Sequence, residues 1–95
     1  MNERHVTFKV HPDKKAEFEK MFVDEYRPAM ATMPGFKRVD LLCRADRPLQ
    51  YEMVIRIDSA DTSAAWRSSS HHEMLKPQVK ALYGDSQLQV FDVIA

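Results

Sequence analysis

Ninety-five residues make one domain, and a domain of this size buries only about 60–65% of the surface its unfolded chain exposes, so its own core is thin. Fourteen Lys and Arg balance fourteen Asp and Glu, which leaves no net field to draw in nucleic acid or an anionic membrane. With 44% apolar and 29% charged residues, no apolar run of membrane-spanning length and a charged opening, MNERHVTFKV, the chain reads as a cytoplasmic globular domain.

Val6, Phe8 and Val10 alternate with His5, Thr7 and Lys9, the period of a strand over 5–10. HPDKK ends it. Pro12 suits a first helical turn, and the Asp13 charge favours unpaired amides at a helix start. Phe18, Met21, Phe22, Tyr26, Ala29, Met30 and Met33 then recur at spacings of three and four, predicting a helix over 13–32 that Pro28 kinks or weakens.

MPGF at 33–36 is a turn, followed by a strand in which Val39, Leu41 and Cys43 alternate with Arg38, Asp40, Leu42 and Arg44. Cys43 has no second cysteine to pair with and reads as a buried strand thiol. After the ADRPLQ loop, a third strand over 51–57 sets Tyr51, Met53, Ile55 and Ile57 against Glu52, Val54 and Arg56. DSADTS supplies N-cap candidates for a helical region over 61–83, broken near the three serines and around Pro77, with Gly84 as its C-cap. A last strand over 87–94 carries Leu88 and Val90 on one face and, after a local irregularity, Phe91 and Val93 on the other.

The order β-α-β-β-α-β predicts a single α+β domain over 1–95 of ferredoxin-like type, a four-stranded antiparallel sheet with both helices on one face. Leu42 and Val54 lie on the otherwise polar face. Such a face is expected to be covered by a second copy, the two sheets pairing in a homodimer.

The stretch AAWRSSSHHEML, residues 64–75, holds the only tryptophan and two adjacent histidines. Successive helical residues point about 100° apart, so at most one of His71 and His72 faces a given ligand. An imidazole with an ordinary pKa of about 6.5 is suited to take a phenolic proton near neutrality. Trp66 is read either as a pocket wall or as a core side chain. HHE lacks the i, i+4 histidine pair of a helical metal site, so no metal is expected. The serines form no triad with their helical neighbours and read as caps of a helix break. Tyr26 and Tyr51 offer hydroxyls, and Arg67 offers a charge for an anionic group. An RNA-binding sheet would need an aromatic third strand, which is missing.

In its opening strand followed by VHPDKKAEF, its MPGF turn, the passage YEMVIRIDSADTSAAW and the SSSHH segment, the chain resembles the antibiotic biosynthesis monooxygenase domain family. The resemblance spans nearly the whole chain and implies a dimeric α+β barrel with a pocket in each subunit between helices and sheet. Its members include cofactor-free oxygenases of aromatic polyketides or quinols, haem-degrading enzymes and an enzyme that processes a phosphorylated sugar. In the haem-degrading branch an iron-ligating histidine follows the tryptophan by ten residues, whereas here Lys76 follows Trp66. An asparagine of that branch's first strand also has no counterpart in HVTFKV, so haem is the third reading, open only if His71 or His72 substitutes. Ser69-Ser70-His71 is similar to a Ser/Thr pair and histidine of the sugar-processing and quinol-oxidising branches.

The resemblance therefore implies a cofactor-independent monooxygenase of a small phenolic or quinol-like compound, with His71 as base and Trp66 as pocket wall. Phe22, Tyr26, Tyr51, Arg67 and His72 are the expected substrate-binding residues around a small hydrophobic or aromatic molecule. A non-catalytic ligand-binding barrel module is the alternative from a different functional class.

Overall fold

A computed structural model describes residues 1–95. Four strands, β1 (Asn2–Val10), β2 (Phe36–Cys43), β3 (Gln50–Ile57) and β4 (Tyr83–Asp92), lie in the order β2-β3-β1-β4 with every neighbouring pair antiparallel. The helices are α1 (Lys15–Met21), α2 (Arg27–Ala31), α3 (Ala60–Arg67) and α4 (Ser70–Lys80). Because β1 is central, its register decides both faces. Val6 and Phe8 lie opposite Met53 and Tyr51 of β3, and this set joins Phe18, Met30, Trp66 and Leu75 in the core under the helices. No helix is long and apolar enough to cross a membrane.

β1 begins at Asn2, three residues before the expected start, since it is paired on both sides from there: Asn2 opposes Ile57 of β3 and Asp92 of β4. The alternation hid this because Arg4, a charge, shares the core-facing parity of Val6 and Phe8. The strand thus does contain an asparagine, at its first residue.

The kink or weakening expected at Pro28 takes the form of a changed helical turn. A π-helical turn, Phe22–Tyr26, joins α1 to α2, and the Arg27 amide donates to the Phe22 carbonyl one residue further back than in an α-helix. Pro28 has no N–H and its ring crowds the carbonyl four residues back, so a wider turn just before it relieves both problems.

The break at the serines is present, between α3 and α4. Ser69 caps α4: its Oγ accepts from the His72 amide at 3.2 Å and donates to the Trp66 carbonyl at 2.6 Å. No break occurs at Pro77, which lies inside α4. The Glu73 carbonyl loses its donor there, but Glu73 is exposed to water. Gly84 is likewise no C-cap. The α4 helix ends at Ala81 in right-handed conformation, and Gly84 sits in β4 as the extra residue where pairing passes from Lys9–Asp85 to Val10–Tyr83. The irregularity of the last strand is this bulge, not one between Val90 and Phe91.

Cys43 is exposed, contrary to expectation, because it ends the edge strand β2; its Sγ lies 3.6 Å from the Lys15 ammonium and 3.4 Å from the Pro48 carbonyl. Gly35, in the MPGF turn, has φ of 96°, and a Cβ there would come within 2.5 Å of Thr62 Oγ1 and 2.6 Å of Asp58 Oδ1. Only glycine fits both the dihedral and the space. The turn is thereby held against the start of α3, the helix that carries Trp66.

The face away from the helices is mostly charged. Glu3 receives Arg56 Nη2 at 2.7 Å and lies 2.7 Å from His5 Nε2, while His5 Nδ1 lies 3.2 Å from Glu52. These contacts hold the Glu3 carboxyl below its ordinary pKa, the His5 hydrogen bond first. Val54 is buried in that network, whereas Leu42 and Phe91 stay exposed at 47% and 45%.

Candidate functional site

Trp66 projects from the second turn of α3 into the core between the helices and the sheet, where it is 4% exposed. Its ring meets three others edge to face: Tyr26 at 5.6 Å, Phe36 at 6.4 Å and His72 at 5.3 Å. Trp66, Tyr26 and His72 open onto a cleft of about 350 Å³, within the range of about 300–1,000 Å³ usual for small-molecule sites. Its apolar floor comes from Val6, Phe8, Met30, Met53 and Ile55, its far wall from Val79, Tyr83 and Leu88. The polar lining is Arg4, Ser63, Arg67, His72, Lys76, Lys80 and Ser86, without a single carboxylate.

His72 is oriented by its own helix. Its Nδ1 lies 3.1 Å from the Arg67 carbonyl, which can only accept, so in the neutral ring Nδ1 carries the proton and Nε2 keeps the lone pair. Burial depresses the His72 pKa, and the nearby Lys76 and Arg67 charges act in the same direction, while the Arg67 carbonyl opposes them. A half-buried neutral imidazole with a free Nε2 beside an aromatic cleft is equipped to accept a proton. Tyr26 is held protonated, its pKa raised chiefly by burial.

The two histidines separate as helix geometry requires. His71 is exposed and lines a different groove, with Asp24, Glu25, Pro28 and Thr32, so it does not reach the Trp66 cleft. Of the two histidines, it is His72 and not His71 that lines the Trp66 cleft. Arg67 lines the cleft as expected, its Nε within 3.5 Å of the Ser63 carbonyl.

Phe22 does not line the cleft. It is 4% exposed beneath Tyr26, the two rings 6.4 Å apart and nearly parallel, beside an apolar void of only about 10 Å³. Tyr51 is also absent, being 1% exposed near the open end of β3. Its hydroxyl donates to Glu19 and accepts from Lys15 Nζ at 2.7 Å, leaving no hydrogen-bonding capacity for a ligand. Burial first, then the Glu19 contact, pushes the Tyr51 pKa up to about 12.

Arg4, Ser63, Lys76, Lys80 and Ser86 line the cleft without having been singled out as substrate-binding residues. Two signals were available. Arg4 is a charge at a core-facing strand position, and His72, Lys76 and Lys80 recur at i, i+4 and i+8 along one face of α4. For haem iron the cleft holds one imidazole donor, His72 Nε2, while Lys76 presents an ammonium and Asn2 is not among the lining residues. Nowhere do three or more His, Cys, Asp or Glu side chains converge as a metal-binding group.

Solved structures share this architecture. SnoaB, described as a cofactor-independent oxygenase from Streptomyces nogalater, superposes with a TM-score of 0.89 at 23% identity, covering 99% of this chain and 93% of its own. A Nitrosomonas europaea protein matches at a TM-score of 0.88 and 19% identity over 100% of both chains. Rv0793 from Mycobacterium tuberculosis matches at 0.86 and 19%, covering 99% of this chain and 95% of its own. No curated protein matches the sequence. At these identities the structures establish the fold. The sequence itself matches the family model described as antibiotic biosynthesis monooxygenase over residues 1–77, so the chain belongs to that family.

Proposed function

We propose that the protein is a cofactor-independent monooxygenase of a small phenolic or quinol-like compound bound in the Trp66 cleft, with His72 as the base. The observation that carries this reading is the His72 ring, tied through Nδ1 to the Arg67 carbonyl, with Nε2 free beside an aromatic cleft. Membership of the monooxygenase family and the likeness to SnoaB support it.

A phenol whose para carbon bears hydrogen illustrates the balance. Nε2 takes the phenolic proton, and the phenolate passes one electron to dioxygen. The phenoxyl and superoxide radicals recombine at the para carbon, and the imidazolium protonates the distal oxygen of the peroxide. Loss of the carbon-bound proton to His72 and departure of hydroxide leave a quinone carbonyl, and the imidazolium proton converts the hydroxide to water. Phenol and dioxygen thus give quinone and water, all four electrons coming from the substrate. The protein contributes deprotonation, orientation and exclusion of water. Cations on the His72 face of α4 stabilise the phenolate.

The working unit is a homodimer paired through the open sheet faces. Leu42 and Phe91 supply exposed apolar surface there, and the charges around them already have partners within the subunit, which lowers the penalty of covering them. Sedimentation as a monomer at high concentration contradicts the dimer.

The activity is tested in an oxygen electrode with a panel of phenols and hydroquinones. Oxygen uptake with release of the quinone is expected, and His72→Ala lowers it by about 10²–10⁴-fold, the usual contribution of a general base, while His71→Ala does not. No uptake with any compound, or full activity in His72→Ala, overturns the assignment.

A further inference from the structure

The cleft is electrically unlike the rest of the molecule. The chain is neutral overall, yet the residues lining this cleft include Arg4, Arg67, Lys76 and Lys80 and no acid. Outside the cleft six cations have carboxylate partners, Lys14 with Glu17, Lys15 with Glu19, Lys20 with Asp24, Arg38 with Asp40, Arg44 with Asp46 and Arg56 with Glu3, and Lys9, Arg27, Lys37 and Arg47 have none. None of the four cleft cations has a carboxylate partner. Lys76 and Lys80 are exposed and solvated, so they carry little of the argument.

Arg4 is different. It occupies a core-facing position of the central strand, between Ile55 of β3 and Val90 of β4, with Val6 on one side along β1 and on the other Asn2, whose buried Oδ1 also has no partner. Its Nε is shut off from solvent and has no hydrogen-bond partner. Burial first, and then the charge of Arg67 on α3, lower the Arg4 pKa. A guanidinium with an enclosed, unpaired Nε, in a cleft shared with a second guanidinium and no carboxylate, is stabilised by an anion at its remaining nitrogens.

From this placement we infer that the substrate of the Trp66 cleft is an aromatic anion whose carboxylate, or a group of the same charge and shape, is bound by Arg4 with Arg67 beside it. The planar guanidinium matches the two oxygens of a carboxylate, and the low-dielectric floor of Val6, Ile55 and Met53 strengthens the attraction. The rings of the ligand lie against Trp66 and Tyr26, and a bicyclic or tricyclic skeleton suits the volume. The inference rests on the proposed function for the identity of the site, but it concerns binding and is tested without turnover.

Anaerobic titration calorimetry compares 6-hydroxy-2-naphthoate with its neutral amide, 6-hydroxy-2-naphthamide. The carboxylate is expected to bind wild type at least about tenfold more tightly than the amide, and added salt to weaken the carboxylate alone. Arg4→Gln is expected to cancel the preference while leaving amide affinity within about twofold. Should Arg4→Gln lose its fold by circular dichroism, Arg67→Gln, at an exposed position, is required to reduce the same ratio. Equal affinities in wild type, an unchanged ratio in the folded variants, or equal weakening of both ligands overturns the anion site. If the two ligands bind alike and phenols still consume oxygen, the anion site falls and the monooxygenase reading stands. If the carboxylate is preferred but no phenol is oxidised, the reverse holds.

Discussion

Two tyrosine-containing regions, one packed against α1 and the other beside α3 and α4, differ in how their polar groups are satisfied. Around Tyr51 every group has a partner: Lys15 Nζ contacts the Tyr51 hydroxyl, the Pro48 carbonyl at 2.9 Å and the Glu19 carboxylate at 3.5 Å, and the hydroxyl donates onward to Glu19. Around Tyr26 and Trp66 the charges face open space, and the Arg4 Nε has no partner. A tyrosine, a cation and apolar neighbours occur in both. The contrast teaches that complete internal pairing marks a structural staple, whereas unpaired polar groups around a cavity mark a place for a ligand.

Substitutions sharpen that contrast by separating stability from binding. The largest effect is expected for Trp66→Ala, which removes a buried indole touching three rings and costs about 3–5 kcal/mol in denaturant unfolding, with loss of ligand binding as well. Gly35→Ala follows, at about 1–3 kcal/mol, from a left-handed dihedral and a clash with Asp58 and Thr62; ligand affinity then falls through misplacement of α3. Tyr51→Phe is smaller, about 1 kcal/mol, because Lys15 and Glu19 keep their direct contact, and it leaves naphthoate affinity unchanged. A change in that affinity would join the two regions that the structure separates.

The smallest effect is in the pH dependence of His72. Its folded pKa lies below the ordinary value of about 6.5, so the folded state prefers the neutral ring. The stability this contributes is fully present above the unfolded value and is lost as pH falls through the folded one. Proton uptake from substrate uses the same ring, so oxygenase activity is expected to hold through neutral pH and to decline only below the ordinary imidazole range. His72→Gln should remove that acid limb from the residual rate.

Much of the fold was legible because the chain keeps strict periods where one face is buried. The inward residues of β3 and the stripe from Phe18 to Met30 follow the periods of strand and helix, and the MPGF turn needs its glycine. The errors cluster where a long-range contact outweighs a local preference. Gly84 reads as a helix terminator, yet pairing with β1 draws it into β4 as a bulge. Cys43 reads as buried because its neighbours alternate, yet β2 is an edge strand and its end is open to solvent. Pro28 interrupts the α-helical ladder as a π-turn, in which the backbone widens by one residue ahead of it.

For the site, the segment holding Trp66, Arg67 and the histidines was visible in the sequence, and helix geometry alone limits it to one functional imidazole. Which imidazole depends on where α4 rests on the sheet, a matter of packing between elements far apart in the chain. The same holds for Arg4. Its parity within β1 is a property of the sequence, but only the pairing of β1 with β3 and β4 and the packing of α3 bring it into one cleft with Arg67 and close its Nε from water. Periodic burial is encoded locally and survives in one dimension. A cleft exists only between elements, so its lining and the partners its charges lack are decided by tertiary structure.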